Sequence, residues 1–107
     1  MDFLPVFLNI RDRPCLVVGG GEVAARKVSL LLRAGARVTV IAPDLAPGLQ
    51  DLSQAGDIKH LARDYAARRD ALTDYRLVLV ATDDAGVNRA VCGAARAAGV
   101  PVNVADR

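Results

Sequence analysis

Tryptophan is absent, and two Phe and two Tyr are the whole aromatic complement of this 107-residue chain. A core of bulky rings is therefore excluded. Ala, Val and Leu must fill the contacts, which suits helices packed on a parallel sheet. Cysteine is equally sparse: Cys15 and Cys92 stand far apart with no CxxC, and the single histidine, His60, accompanies neither. Disulfide and metal frameworks have nothing to build on, so a reducing cytoplasm is expected. Long apolar runs are also missing, because Arg and Gly interrupt every stretch, and Asp2 stands where a signal peptide would be basic. No membrane segment or secretory leader is read. Neither sign of charge dominates, with 14 basic and 12 acidic residues giving a net charge of +2. The arginines are scattered, so neither a nucleic-acid tail nor a polybasic membrane patch is present.

Apolar residues nevertheless make up 52% of the chain, enough for the core of one domain. Short β-like runs alternate with helical patterns, as in repeated βαβ units. Residues 15–18 are continuously apolar and end in Gly19-Gly20-Gly21, as a buried central strand should. Ala24, Val28, Leu31 and Leu32 then recur at helical spacing, with Arg26, Lys27, Ser29 and Arg33 facing away and Gly35 as the stop. Residues 38–41 form a β-branched second strand broken by Pro43, and Leu45, Leu49 and Leu52 predict a short helix before Gly56. Residues 58–61 predict a third strand, 65–75 an irregular Ala-rich helix, and 77–81 a fourth strand. Val87, Val91, Ala94 or Ala95, and Ala98 mark the inner face of a last helix closing at Gly99, followed by a fifth strand over 102–105. No linker, repeat or low-complexity tract interrupts this rhythm. The expected fold is α/β: a Rossmann-type doubly wound parallel sheet of about five strands, order 3-2-1-4-5, with right-handed crossovers. A chain ending directly after a strand is read as one dinucleotide-binding domain, residues 1–107, of a longer protein.

Gly19-Gly20-Gly21-Glu22-Val23-Ala24 fits G-x-G-x-x-A between a strand and a helix, the context that gives this otherwise weak motif its meaning. Gly19 would allow the tight turn, Gly21 the approach of a pyrophosphate, and Ala24 close helix–strand packing. Backbone N–H groups near Glu22 and Val23 would face the phosphates. An acid after the second strand commonly holds the adenosine ribose; here Ile41, Ala42 and Pro43 precede Asp44. Asp44 reads equally as that ligand and as a helix N-cap ahead of Leu45. With no Arg beside it in sequence, NAD is expected rather than NADP. Thr82 follows the fourth strand on the same sheet edge and could line the cofactor, whereas Asp83 and Asp84 read as helix caps. His60 reads as an exposed strand-end residue, and both cysteines as small core residues.

These residues carry a resemblance. Leu4-Pro5-Val6-Phe7, Arg11-Asp12-Arg13, the strand and glycine turn through Gly21, Val23-Ala24 with Arg26-Lys27, Ala81-Thr82-Asp83-Asp84 with Asn88, and Asn103-Val104-Ala105-Asp106 together resemble siroheme synthases. The likeness runs nearly end to end, in order and at suitable spacing. It implies NAD-dependent dehydrogenation of precorrin-2 to sirohydrochlorin, with ferrous iron insertion, a lyase step, as a second activity of many members. It also implies a homodimer of the complete protein and maps the family's favoured catalytic Asp onto Asp106. On its own sequence Asp106 would be an ordinary strand-end acid; with the resemblance it is the candidate base. Ala105 stands where Val is commoner, a small packing change. Arg11, Arg13, Arg89 and Arg107 are candidate partners for the substrate carboxylates, without a basis for choosing among them. Two other readings stay open: a regulatory NAD-binding module without catalysis, and a dehydrogenase of another kind whose catalytic domain follows residue 107.

Overall fold

The computed structural model describes residues 7–105. Its elements run β1 (Pro14–Val18), α1 (Glu22–Arg33), β2 (Arg37–Ile41), α2 (Pro47–Gln54), β3 (Lys59–Leu61), β4 (Leu77–Val80), α3 (Ala85–Ala98) and β5 (Val102–Val104). The strands form one five-stranded sheet in the order β3-β2-β1-β4-β5, and every neighbouring pair is parallel. This is the Rossmann-type sheet that the alternating pattern predicts.

β1 holds the centre because its residues suit burial on both faces. Cys15, Leu16, Val17 and Val18 are all almost fully buried. Side chains alternate across a strand, so Cys15 and Val17 join Val38, Val40, Ala24, Val28 and Leu49 on the side of α1 and α2. Leu16 and Val18 join Ile41, Val78, Val80, Val91 and Ala95 on the side of α3. The result is three layers, with the apolar stripe of each helix laid against the sheet. α1 closes at Ala34 and Gly35, the latter in a left-handed conformation. α3 closes at Gly99, also left-handed, as its sequence predicts.

The segment 65–75 departs from expectation: it is a series of turns and not a helix. Its sequence gives no continuous apolar stripe, since the buried residues are Asp70 and Leu72. The Asp70 carboxylate accepts the Ala66 N–H at 2.7 Å and the Arg63 guanidinium at 2.8 Å, tying the segment back to the end of β3. A single turn survives, in which the Arg69 and Asp70 N–H groups both donate to the Ala66 carbonyl. Leu72 and the half-buried Tyr65 and Tyr75 then cover the α3 face of the sheet.

Candidate functional site

The carboxyl ends of parallel strands are where ligands of open α/β sheets bind, at the point where the strand order reverses. That point lies here between β1, which pairs with β2 on one side and β4 on the other. A cleft of about 660 Å³ opens there, lined by the glycine turn, by residues 41–46, by 63–65, and by 81–84 with Val87. It therefore contains Gly19, Gly20, Gly21, Glu22, Val23, Pro43, Asp44 and Thr82, all of the described residues expected to hold a cofactor.

Each glycine of the turn has a different reason to be there. Gly19 adopts φ +132°, and a Cβ on it would stand 2.3 Å from the Ala81 carbonyl oxygen. That position needs glycine for both conformation and contact. Gly20 is fixed by packing, because a Cβ would lie 2.1 Å from the Asp44 carbonyl oxygen and 2.8 Å from Ala42 Cβ. Gly21 has an ordinary φ of −90° and caps α1 without a side-chain hydrogen bond. A Cβ at Gly21 would meet nothing within 4 Å. Space is thus left beside the first-turn N–H groups of α1, which have no helical partner of their own. Those donors and the positive end of the helix suit a phosphate. Ala24 is fully buried against the sheet, as close helix–strand packing requires.

Asp44 is exposed and lies at the cleft after β2. Its reading as a helix N-cap is overturned: Ala46 is the N-cap of α2 and Pro47 opens the helix. The reason lies in the glycine turn, whose Gly20 carbonyl accepts the Ala46 N–H at 2.7 Å and fixes where the helix starts. Asp44 is left exposed at the cleft wall. Beyond β4, Asp84 is the N-cap of α3, and its carboxylate accepts the Gly86 and Val87 N–H groups at 2.8 and 3.1 Å. Thr82 lines the cleft with its hydroxyl bonded to Asn88 Oδ1, while Asn88 Nδ2 donates to the Thr82 carbonyl at 3.2 Å. The pair locks the β4–α3 turn.

Three cleft residues carry no sequence signal. Arg63, Asp64 and Tyr65 approach from the β3–β4 segment. Arg63 Nη1 lies 2.7 Å from one Asp70 oxygen and 2.8 Å from the other. Tyr65 Oη is buried without a hydrogen-bond partner among the described residues. Burial, and then the nearby Asp70 charge, raise the Tyr65 hydroxyl above its ordinary value of 10.0, so it stays protonated. Arg63 and Asp70 stand seven positions apart in a segment that is not helical, so the two-turn helical spacing does not account for their meeting.

His60 is half-buried rather than exposed: its Nε2–H donates to the Ala42 carbonyl at 2.8 Å and braces the end of β2. Cys15 is a buried core residue and Cys92 a partly buried one on α3; both are free thiols. Arg11 and Arg13 lie ahead of the amino end of β1, at the opposite edge from the cleft, and Arg89 is exposed on α3. The cleft lining includes none of these three. Asp106 and Arg107 lie outside the described residues. Among the described residues, no group of three or more His, Cys, Asp or Glu is placed to hold a metal ion, and no helix is long and apolar enough to cross a membrane.

Comparison with known proteins agrees with this geometry. A family model described as "Putative NAD(P)-binding" matches residues 6–107. The siroheme synthase of Methylobacillus flagellatus is 55% identical over 106 residues, covering 99% of this chain and 22% of that protein. The siroheme synthase of Chromobacterium violaceum shows the same identity and coverage. The chain thus spans about a fifth of the length of these relatives, the 22% that aligns. The structure of SirC, precorrin-2 dehydrogenase, superposes with a TM-score of 0.79 at 27% identity, over 96% of this chain and 49% of that one. An E. coli tRNA N6-threonylcarbamoyladenosine dehydratase superposes with a TM-score of 0.73 at 17% identity over 89% of this chain and 52% of that one, a likeness of fold alone.

Proposed function

The chain belongs to the NAD(P)-binding family whose model covers residues 6–107, and from that membership we propose that it is the dinucleotide-binding domain of a longer precorrin-2 dehydrogenase of the siroheme synthase type. The observation carrying this reading is the cradle at Gly21, open space beside the unpartnered N–H groups of α1. The high identity to siroheme synthases and the likeness to SirC support the substrate.

When bound, a nicotinamide dinucleotide supplies the hydride acceptor of the reaction. The chain's own groups do the rest. Gly19, Gly20 and Gly21 shape the turn, Glu22 and Val23 contribute backbone N–H groups to the pyrophosphate, and Thr82 borders the cleft from β4. Pro43 and Asp44 form the wall after β2, with the Asp44 carboxylate available to ribose hydroxyls. That carboxylate would repel a 2′-phosphate, so the dinucleotide is NAD rather than NADP. Oxidation of precorrin-2 to sirohydrochlorin removes a proton as well as a hydride, and Asp106 is assigned as the base accepting it. A positioned base contributes about 10²–10⁴-fold.

In the complete protein we place ferrous iron insertion into sirohydrochlorin as a second activity, and a homodimer as the working unit. The cytoplasm is the assigned compartment, on the strength of the two free thiols and the lack of a membrane-spanning helix among the described residues.

Calorimetric titration of NAD into this chain tests the site, with Gly21→Asp as the control. The wild-type chain should bind and the variant should not, although the open space at Gly21 lets it fold. A folded wild-type chain that takes up no NAD sinks the reading. In the complete protein, Asp106→Ala should keep NAD affinity and lose precorrin-2 oxidation; retained turnover would remove Asp106 from the mechanism.

A further inference from the structure

The β3–β4 segment does more than connect strands, because it closes one end of the cleft. Along the carboxyl edge of the sheet, Arg63 follows β3, Asp44 follows β2, the glycine turn follows β1 and Thr82 follows β4. β3 is the outermost strand on its side, so Arg63 stands at the end of the cleft away from β4 and β5. A dinucleotide with its pyrophosphate at α1 and a ribose at Asp44 directs the adjoining base toward Arg63.

Arg63 is fixed where it stands. Its Nη1 binds both Asp70 oxygens, at 2.7 and 2.8 Å, and the same carboxylate holds the Ala66 N–H at 2.7 Å. The Asp70 side chain is 5% exposed and that of Arg63 30%. Burying a carboxylate is costly unless it is paired, and Asp70, while tying its own segment together, meets that need by holding Arg63 at the cleft. Asp70 offsets part of the guanidinium charge, being shared with Arg69 Nε at 3.9 Å, and the paired guanidinium keeps a planar face to offer to a base. Guanidinium groups stack on aromatic rings in this manner.

We infer that Arg63, held by Asp70, is the platform on which the adenine of the dinucleotide stacks, and that Asp70 is its positioning residue. This rests on the dinucleotide reading above. The test is calorimetric titration of AMP and of NAD into wild type, Arg63→Lys, and the double variant Arg63→Gln with Asp70→Asn. Lysine keeps the ion pair but loses the plane; the double variant keeps a neutral hydrogen-bonded pair, so at least one variant should retain the wild-type denaturation midpoint. In a folded variant, AMP and NAD affinity should fall by the same factor, about fivefold. AMP binding unchanged within twofold, or a loss confined to NAD, would overturn the inference, since the arginine would then act on neither half or on the other half. Absence of both ligands from the wild-type chain would overturn the dinucleotide reading, and this inference with it.

Discussion

Gly20 and Asp44 meet across the floor of the cleft, so closely that a Cβ on Gly20 would stand 2.1 Å from the Asp44 carbonyl oxygen. The Gly20 carbonyl in turn accepts the Ala46 N–H at 2.7 Å. The glycine turn thus sets the wall after β2 as well as the phosphate cradle. Gly20→Ala must push residues 42–46 outward, and overpacking of this kind costs about 1–3 kcal/mol. Gly21→Ala meets nothing within 4 Å and should leave the urea midpoint close to that of wild type. Both variants should bind NAD more weakly, the first with loss of stability and the second without it. Equal midpoints for the two would contradict this division of labour.

The difference between these glycines shows what could be read from residues alone. Apolar runs and helical spacing marked the elements, because a buried strand and an amphipathic helix have distinct periods, and right-handed crossovers gave the order expected of them. The glycine turn marked the phosphate end of the cleft by its place between β1 and α1. The adenosine end was harder. Arg63 and Asp70 meet only because a buried acid ties an irregular segment together, and the Ala-rich composition of 65–75 suggested a helix instead. Asp44 was ambiguous for a related reason: its role depends on the Gly20–Ala46 hydrogen bond, a contact between segments distant in sequence.

Tyr65 should tolerate loss of its hydroxyl. Oη is buried with no partner among the described residues, and an unsatisfied buried polar atom costs about 1–3 kcal/mol. Tyr65→Phe keeps the ring against Leu72 and the sheet. Its urea midpoint should match or exceed that of wild type, with NAD affinity unchanged. A clear drop in midpoint would mean that the hydroxyl has a partner in solution.

Asp84 tests whether the acids after β4 are structural. Its carboxylate satisfies two first-turn amides of α3, and loss of such a cap costs about 1 kcal/mol. Asp84→Ala should lower stability by that amount, while Asp84→Ser should recover most of it. NAD affinity should follow neither change. A loss of binding that serine fails to restore would move Asp84 from the cap to the ligand.

Cys15 gives stability a dependence on alkaline pH. The residue is fully buried on β1, and burial, opposed in part by Arg76, raises its thiol above 9.0. Above that value the unfolded chain releases a proton that the folded chain retains, so unfolding is favoured as pH rises. The contribution is fully present below pH 9.0 and is lost as pH climbs through the folded-state value. Tyr65, raised above 10.0 in the same direction, extends the decline further. Cys15→Ala empties part of a packed core and should be less stable than wild type at neutral pH, by about 1–2 kcal/mol. Its urea midpoint should nevertheless fall less steeply than that of wild type between about pH 8 and 10. Parallel curves for the two proteins would show that the thiol stays equally titratable in both states. Rapid alkylation of Cys15 in the native chain at neutral pH would say the same, because only an accessible thiolate reacts.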